Sequence, residues 1–429
     1  MNTVAIIALI LFILTYVLMI VLSEKRTYVA VASALIFILL GLFGVLPRVS
    51  ILSAIDFNVI LMLAGTMCTV SLFISSKMPN RMADMLLGLC PNVMWVAVVM
   101  SLFAGIVSAF IDNVATVLMI APVALAIAKK LNISPVAMLI CISVSSNLQG
   151  AATLVGDTTS IMLGGYAGMD FTDFFVSEGR ASMFWFVELG AIITVPVIMY
   201  IFRDKKEKVE KVALTKVDDM APTFFLLLNV ILLILASFVP NKPEITNGII
   251  CICISIAALV TNYVKNKDFG VIKRAVSDVD FMTLFLLSGL FIVIEGIKQA
   301  GIIDKISELF VRFGGGSVFL MYTLIVWGSV IFSAFIDNIP YVATMLPVVQ
   351  GISYMMGCNS KLLYFGLLIG ATLGGNMTPI GASANIATIG MLRKEGYSVK
   401  NGEFMRIGIP FTLVAVFSGY VVCWLVWSR

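Results

Sequence analysis

Apolar residues run along this chain in blocks near 4–22, 28–46, 57–75, 93–128, 134–165, 181–202, 222–239, 245–264, 280–297, 317–356, 361–392 and 406–427. Blocks of about 18 apolar residues or more are long enough to cross a bilayer as helices. A membrane barrel needs short strands that alternate apolar and polar positions, and the sequence has no such pattern. A helix is then the spanning form that satisfies its own backbone. The predicted fold is an all-α polytopic membrane protein. Two blocks, 93–128 and 317–356, are about twice the length of one crossing. Two others, 134–165 and 361–392, are interrupted by glycines and polar side chains. The first block, Val4 to Leu22, lacks a basic start and a small-residue cleavage site, so it reads as a span and not a signal peptide.

The interruptions repeat. The run Ser108-Ala-Phe-Ile-Asp112-Asn113 returns as Ser333-Ala-Phe-Ile-Asp337-Asn338, an offset of 225, and nine of sixteen positions from Ser108 and Ser333 onward are identical. The same offset carries Gly150, Thr153 and Gly156 onto Gly375, Thr378 and Gly381. Upstream, Asp56-Phe57 and Gly65 return as Asp280-Phe281 and Gly289, at an offset of 224. Two copies of one unit are predicted, 1–202 and 222–429, joined by a charged linker at 203–221. If each double-length block is a hairpin that enters and leaves by one side, each copy crosses the membrane five times. An odd number of crossings inverts the second copy. With the linker in the cytoplasm, 20 of the 28 basic residues fall on that side, Lys25, Arg26, Lys77, Lys129, Lys211, Lys273 and Arg274 among them; Arg48, Lys361, Arg429 and five others fall outside. That bias matches the positive-inside rule and places both termini outside a cell inner (plasma) membrane. Reading the double-length blocks as two full crossings would require an almost loopless turn at Asp112-Asn113, so hairpins are preferred.

Composition narrows the chemistry further. The chain is 60% hydrophobic and 12% charged, with a mean hydropathy of +1.07. Soluble proteins carry roughly 25% charged residues, so lipid is the solvent here. The net charge of +4 comes from short loops and implies no nucleic-acid partner. The chain has no histidine, the commonest ligand for zinc, copper or haem. Of its seven cysteines only Cys251 and Cys253 are close in sequence, and an i, i+2 spacing on a helix points them to different faces. No metal or organic cofactor is expected.

Each hairpin arm is about 17 residues, or roughly 25 Å at 1.5 Å per residue, which brings the tips Asp112-Asn113 and Asp337-Asn338 to mid-membrane depth. A carboxylate there costs about 2.5 kcal/mol or more and marks a functional site by default. Asp and Asn also cap the helix that follows, and both roles are compatible. The interrupted blocks supply the facing surfaces, with Asn147, Thr153, Gly156, Asp157 and Thr158 in the first copy and Asn376, Thr378, Gly381, Ser383 and Asn385 in the second. Unwound carbonyls in such breaks coordinate small cations, and half-helix N-termini favour anions. Close helix packing also uses glycines and small hydroxyls.

The copies differ where Asp157 meets Ala382. Site one therefore offers two carboxylates, Asp112 and Asp157, and site two offers Asp337. Two carboxylates side by side in low dielectric carry full charge together only when a cation neutralises them. H⁺ or Na⁺ is the expected coupling ion, with Na⁺ at Asp112, Asn113 and Asp157. Glu188 and Glu295 lie nearer span ends and read as interfacial.

At Asp112-Asn113-Val114 and Ala152-Thr153-Leu154-Val155-Gly156-Asp157 the chain resembles the ion transporter superfamily. The nearest group holds arsenite permeases, sodium–proton antiporters and P-protein-like transporters. Divalent anion–sodium symporters share the architecture, with Ser-Asn-Thr where this chain has Asp112-Asn113-Val114 and Asp337-Asn338-Ile339. Gly156-Asp157-Thr158-Thr159-Ser160 departs from the Gly-Asp-Pro-Pro-Asn of the P-protein-like pattern. The resemblance covers essentially the whole chain. It implies two ion sites around a central substrate, and a scaffold with a moving transport domain, often in a homodimer.

The expected function is secondary transport of a small inorganic anion or oxyacid, coupled to H⁺ or Na⁺. Sodium–proton antiport is the alternative, and a di- or tricarboxylate symporter is less favoured because aspartates stand at the tips. An enzyme lacks a nucleophile–base pair here, and no Gly-rich Lys-Ser/Thr phosphate loop supports an ATP-driven pump. A separate ATPase partner stays open.

Overall fold

The computed structural model describes residues 3–130, 133–209 and 214–428; Lys211 and Arg429 lie outside them. The first copy runs through α1 (Thr3–Val21), α2 (Arg26–Leu42), the single turn α3 (Ile51–Ala54), α4 (Phe57–Ser75), α5 (Met78–Leu87), α6 (Val93–Ser108), α7 (Asn113–Lys130), α8 (Val136–Gly150), α9 (Thr158–Ala167) and α10 (Met183–Ile201). The second runs through α11 (Ala221–Ser237), α12 (Thr246–Asn266), α13 (Phe269–Ser277), α14 (Phe281–Gln299), α15 (Ile302–Gly314), α16 (Val318–Ser333), α17 (Asn338–Met356), α18 (Ser360–Gly374), α19 (Ser383–Lys394) and α20 (Asn401–Trp427). Element for element the second set repeats the first. A two-residue antiparallel pair, Val176–Ser177 with Arg180–Ala181, sits before α10. Among the described residues, eight helices are long and apolar enough to cross a membrane.

The helix starts follow from capping chemistry, and they also repeat. Asp56 accepts a hydrogen bond from the Val59 N–H (3.1 Å) and Asp280 from that of Thr283 (3.0 Å), opening α4 and α14. Asn92 and Ser317 cap α6 and α16 in the same way. Each double-length block is two helices broken at its Asp-Asn tip. Each interrupted block is likewise two helices, broken at 151–157 and 375–382.

Three features were not legible as apolar blocks. The short helix α5 and its counterpart α15 have one apolar face only: Ile302 and Ile303 of α15 are buried, while Leu309 and Phe313 stay exposed. Such helices suit a membrane interface better than its core. The α15–α16 pair bends by 115°. The linker is also packed. Its Lys205 and Glu207 carbonyls accept from the free N–H groups of Met94 and Val93 at the start of α6, at 3.1 Å each.

Helices of the two copies pack crosswise, α2 on α14 and α4 on α12. A Cβ on Gly65 would lie 2.4 Å from the Cys251 carbonyl carbon, and one on Gly289 would lie 2.8 Å from that of Ala30. These repeated glycines let the paired backbones touch. The hairpins and broken helices form a second group together with α10 and α20, in which α6 packs on α8, α16 on α18 and α10 on α20. Cys251 is buried and Cys253 exposed, on the different faces expected.

Candidate functional site

Both tip aspartates cap the helix that follows. Asp112 Oδ1 accepts from the Val114 and Ala115 N–H groups at 3.0 and 3.1 Å, and Asp337 Oδ1 from the Ile339 N–H at 3.0 Å. The breaks in the spans lie against these tips. The Thr153 hydroxyl donates to the Ala109 carbonyl, and the Thr378 hydroxyl donates to that of Ala334. The short half-helices α9 and α19 then start at Thr158 and Ser383, so the N-termini of α7, α9, α17 and α19 all converge here.

Gly156 and Gly381 are what let the breaks fit. A Cβ on Gly156 would stand 2.5 Å from the Gly150 carbonyl oxygen and 2.6 Å from that of Ser108. On Gly381 it would stand 2.5 Å from the Gly375 oxygen and 2.8 Å from that of Ser333. At these two positions the absence of a side chain is a packing requirement.

The buried amides stitch the copies together. Asn147 accepts from Asn113 Nδ2 (2.8 Å) and donates to the Thr372 carbonyl (2.8 Å) and to Asn376 Oδ1 (3.0 Å). Asn376 in turn donates to the Val144 carbonyl (2.9 Å). Asn385 donates to the carbonyls of Gly375 and Thr378 and accepts from Ser143. Asn147→Ala should therefore strand buried polar groups on three partners, at about 1–3 kcal/mol for each group left unsatisfied. The expected result is a thermal unfolding transition lowered by several degrees in purified protein. An unchanged transition would show that the amide network is not under tension to form.

A cavity of about 360 Å³ opens beside the tips. Of the fourteen residues the sequence singled out, Asp112, Asn113, Asp157, Thr158, Asn338 and Ser383 line it. Asn147, Thr153, Asn376, Thr378 and Asn385 are buried behind it with their polar groups bonded to protein, and Gly156 and Gly381 serve close packing. Asp337 lies beside Ser383, whose hydroxyl donates to its Oδ2 at 3.2 Å. Glu295 accepts from the Gln299 amide at the end of α14 and takes no part.

Sequence reasoning missed three charged residues. Asp278 and Asp280 line the same cavity, and the Ser71 hydroxyl donates to Asp278 at 2.6 Å. Asp280 was visible as the repeat partner of Asp56, but not as part of a site. Arg26, at the first turn of α2, pairs with Asp337 through Nη1 and Oδ2 at 2.5 Å; no local pattern announces it.

Inversion of the second copy implies that the Asp112 hairpin enters from the cytoplasm and the Asp337 hairpin from outside. In this conformation residues from both tips line one cavity, between the C-terminal half of α4 and the N-terminus of α14. A second cavity of about 900 Å³ lies at the other end of α4, around Asp56, Asp170 and Lys242, and no tip residue lines it.

A profile of the CitMHS family, described as citrate transporters, matches residues 16–370. The chain belongs to the CitMHS family. Its relatives include an uncharacterised transporter of Mycobacterium tuberculosis (strain ATCC 25618 / H37Rv), 29% identical over 430 residues, which cover 98% of each chain. The human P protein is 26% identical over 456 residues, 86% of this chain but 53% of the P protein. Among solved structures, the Alcanivorax borkumensis YdaH transporter superposes with a TM-score of 0.58 at 14% identity, covering 87% of this chain and 85% of that one. Neisseria gonorrhoeae MtrF gives 0.56 at 13% identity, covering 86% and 80%. A CitMHS chain with this fold is a multi-pass membrane transporter.

Proposed function

We propose that this CitMHS chain carries a small acid anion across the membrane together with a cation, H⁺ or Na⁺, by alternating access. The asymmetry of the cavity carries the reading. Asp112 and Asp157 line it from the first copy, and the N-terminal residues of α17 and α19 line it from the second with no carboxylate of their own among them. Cations are held by the first pair, and the positive ends of the half-helices suit an anion. At α19 the N-cap position is Ala382, which has no side-chain acceptor of its own, and an anion would take that role. Lys77 follows the lining residue Ile74, and Lys273 and Arg274 precede the lining residue Asp278, so the charge bias assigns this end of the cavity to the cytoplasm.

A second reading is sodium–proton antiport. It is favoured by four carboxylates lining the cavity, Asp112, Asp157, Asp278 and Asp280, with no Lys or Arg among the lining residues. The same carboxylates would repel a free tricarboxylate, so a citrate substrate, the one the family description names, would enter partly neutralised by a bound metal ion or protons.

Proteoliposomes loaded and diluted to impose Na⁺ or pH gradients separate these readings. Radiolabelled citrate with and without a divalent cation, and arsenite, are the probes. Gradient-driven accumulation of an anion supports the first reading. Na⁺/H⁺ exchange at full rate without any added anion replaces it with the second. Cysteines placed at Val114 and Ser383 should both react with an impermeant thiol reagent from the cytoplasmic side in the absence of substrate. Labelling from opposite sides would assign the two tips to separate entrances.

A further inference from the structure

We infer that Arg26 is a tethered cation that fills the second ion site in this conformation, so that this protein binds one coupling ion here where its two tips provide for two. The inference rests on the proposed role of Asp112 and Asp157 as the coupling-ion site.

Both oxygens of Asp337 are committed. Oδ1 accepts from the Ile339 N–H, and Oδ2 accepts from Arg26 Nη1 at 2.5 Å and from the Ser383 hydroxyl. The equivalent aspartate in the first copy is different. Asp112 uses Oδ1 to cap α7, and among the described residues its Oδ2 has no protein partner. Asp157 Oδ2 accepts from the Thr159 hydroxyl at 2.9 Å. The first tip therefore presents an open Asp112 oxygen to the cavity with Asp157 beside it, and the second presents a completed ion pair.

Position points the same way. A guanidinium cannot be neutralised at any physiological pH, so it acts as a fixed charge. Arg26 sits in the first turn of α2, where the helix dipole disfavours a cation. Its presence there needs a compensating anion, and Asp337 is that anion. The Thr27 hydroxyl donates to the Met282 carbonyl at 3.1 Å and holds this end of α2 against α14, so the arginine is presented to the tip from a packed element. The counterpart helix α12 opens on Thr246 beside the second cavity, which no tip residue lines, so its start brings no charge to Asp112. The first copy is thus left to recruit its cation from solution.

The test counts ²²Na⁺ bound at equilibrium by the purified full chain in lipid nanodiscs at alkaline pH. Wild type is expected to bind one ion, and Asp112→Asn none. Arg26→Gln is expected to bind two, and Arg26→Lys, which keeps the charge, to stay at one. Arg26→Gln combined with Asp337→Asn should return to one, which distinguishes a vacated site from a general loosening of the fold. An Arg26→Gln count equal to wild type overturns the inference, as does a gain that survives Asp337→Asn. A wild type that binds no Na⁺ removes the sodium form of the proposed function instead. The Arg26→Gln count then still decides: one bound ion supports the tethered cation, and none overturns it.

Discussion

Asp157→Asn and Asp112→Asn each abolish gradient-driven accumulation while the protein still inserts and folds. Asn keeps the shape and the capping acceptor of Asp, so the turn into α7 survives, and Asp157 makes no cap bond that could be lost. What is removed is one of the two charges that would hold a cation at the first tip. A charge-assisted contact is worth about 1.5–3 kcal/mol, which corresponds to a roughly tenfold to hundredfold loss in apparent cation affinity. The measurement is initial uptake against Na⁺ or H⁺ gradient in proteoliposomes, with protein amount and detergent-extracted monodispersity matched. Ion dependence that is normal in both variants would reduce the two aspartates to helix caps.

Gly156→Val and Gly381→Val prevent the protein from reaching its native packing. Even the first carbon of a side chain would stand 2.5 Å from a backbone oxygen at each position, and backbone cannot swing aside as a flexible side chain can. Overpacking of this kind costs about 1–3 kcal/mol, occasionally more, and here it would push a broken span off its hairpin tip. The expected result is little or no monodisperse protein on size exclusion and no transport. Gly390→Ala in α19 is the control, because a Cβ there meets nothing within 4 Å and should be tolerated. Well-folded Gly156→Val would show that the tip and the break need not touch.

The duplication makes much of the architecture legible in the sequence. A bilayer admits few backbone solutions, so length and hydropathy alone decide that the blocks are helices. Six identical residues at Ser108 and Ser333 then reveal two copies and mark Asp112 and Asp337 as equivalent. The broken spans were legible for the same reason: Gly and Thr recur at matching offsets where a continuous helix has no need of them. The amphipathic helices α5 and α15 were not, since their signal is a one-sided periodicity over ten to thirteen residues, easily read as loop.

The residue types at the site were determined by the sequence itself, including the mismatch of Asp157 with Ala382, because equivalence between copies needs only an offset. Which of them face the cavity was decided by tertiary structure. Asn147, Asn376 and Asn385 have the same chemistry as Asn113, yet the crossing of the two broken spans spends their amides on each other and on backbone carbonyls. Asp278 and Asp280 join the site because α14 begins against it, and Arg26 reaches Asp337 across 311 positions of sequence. Such pairings depend on where separate helices end in space, and no local pattern of apolar and polar residues encodes that.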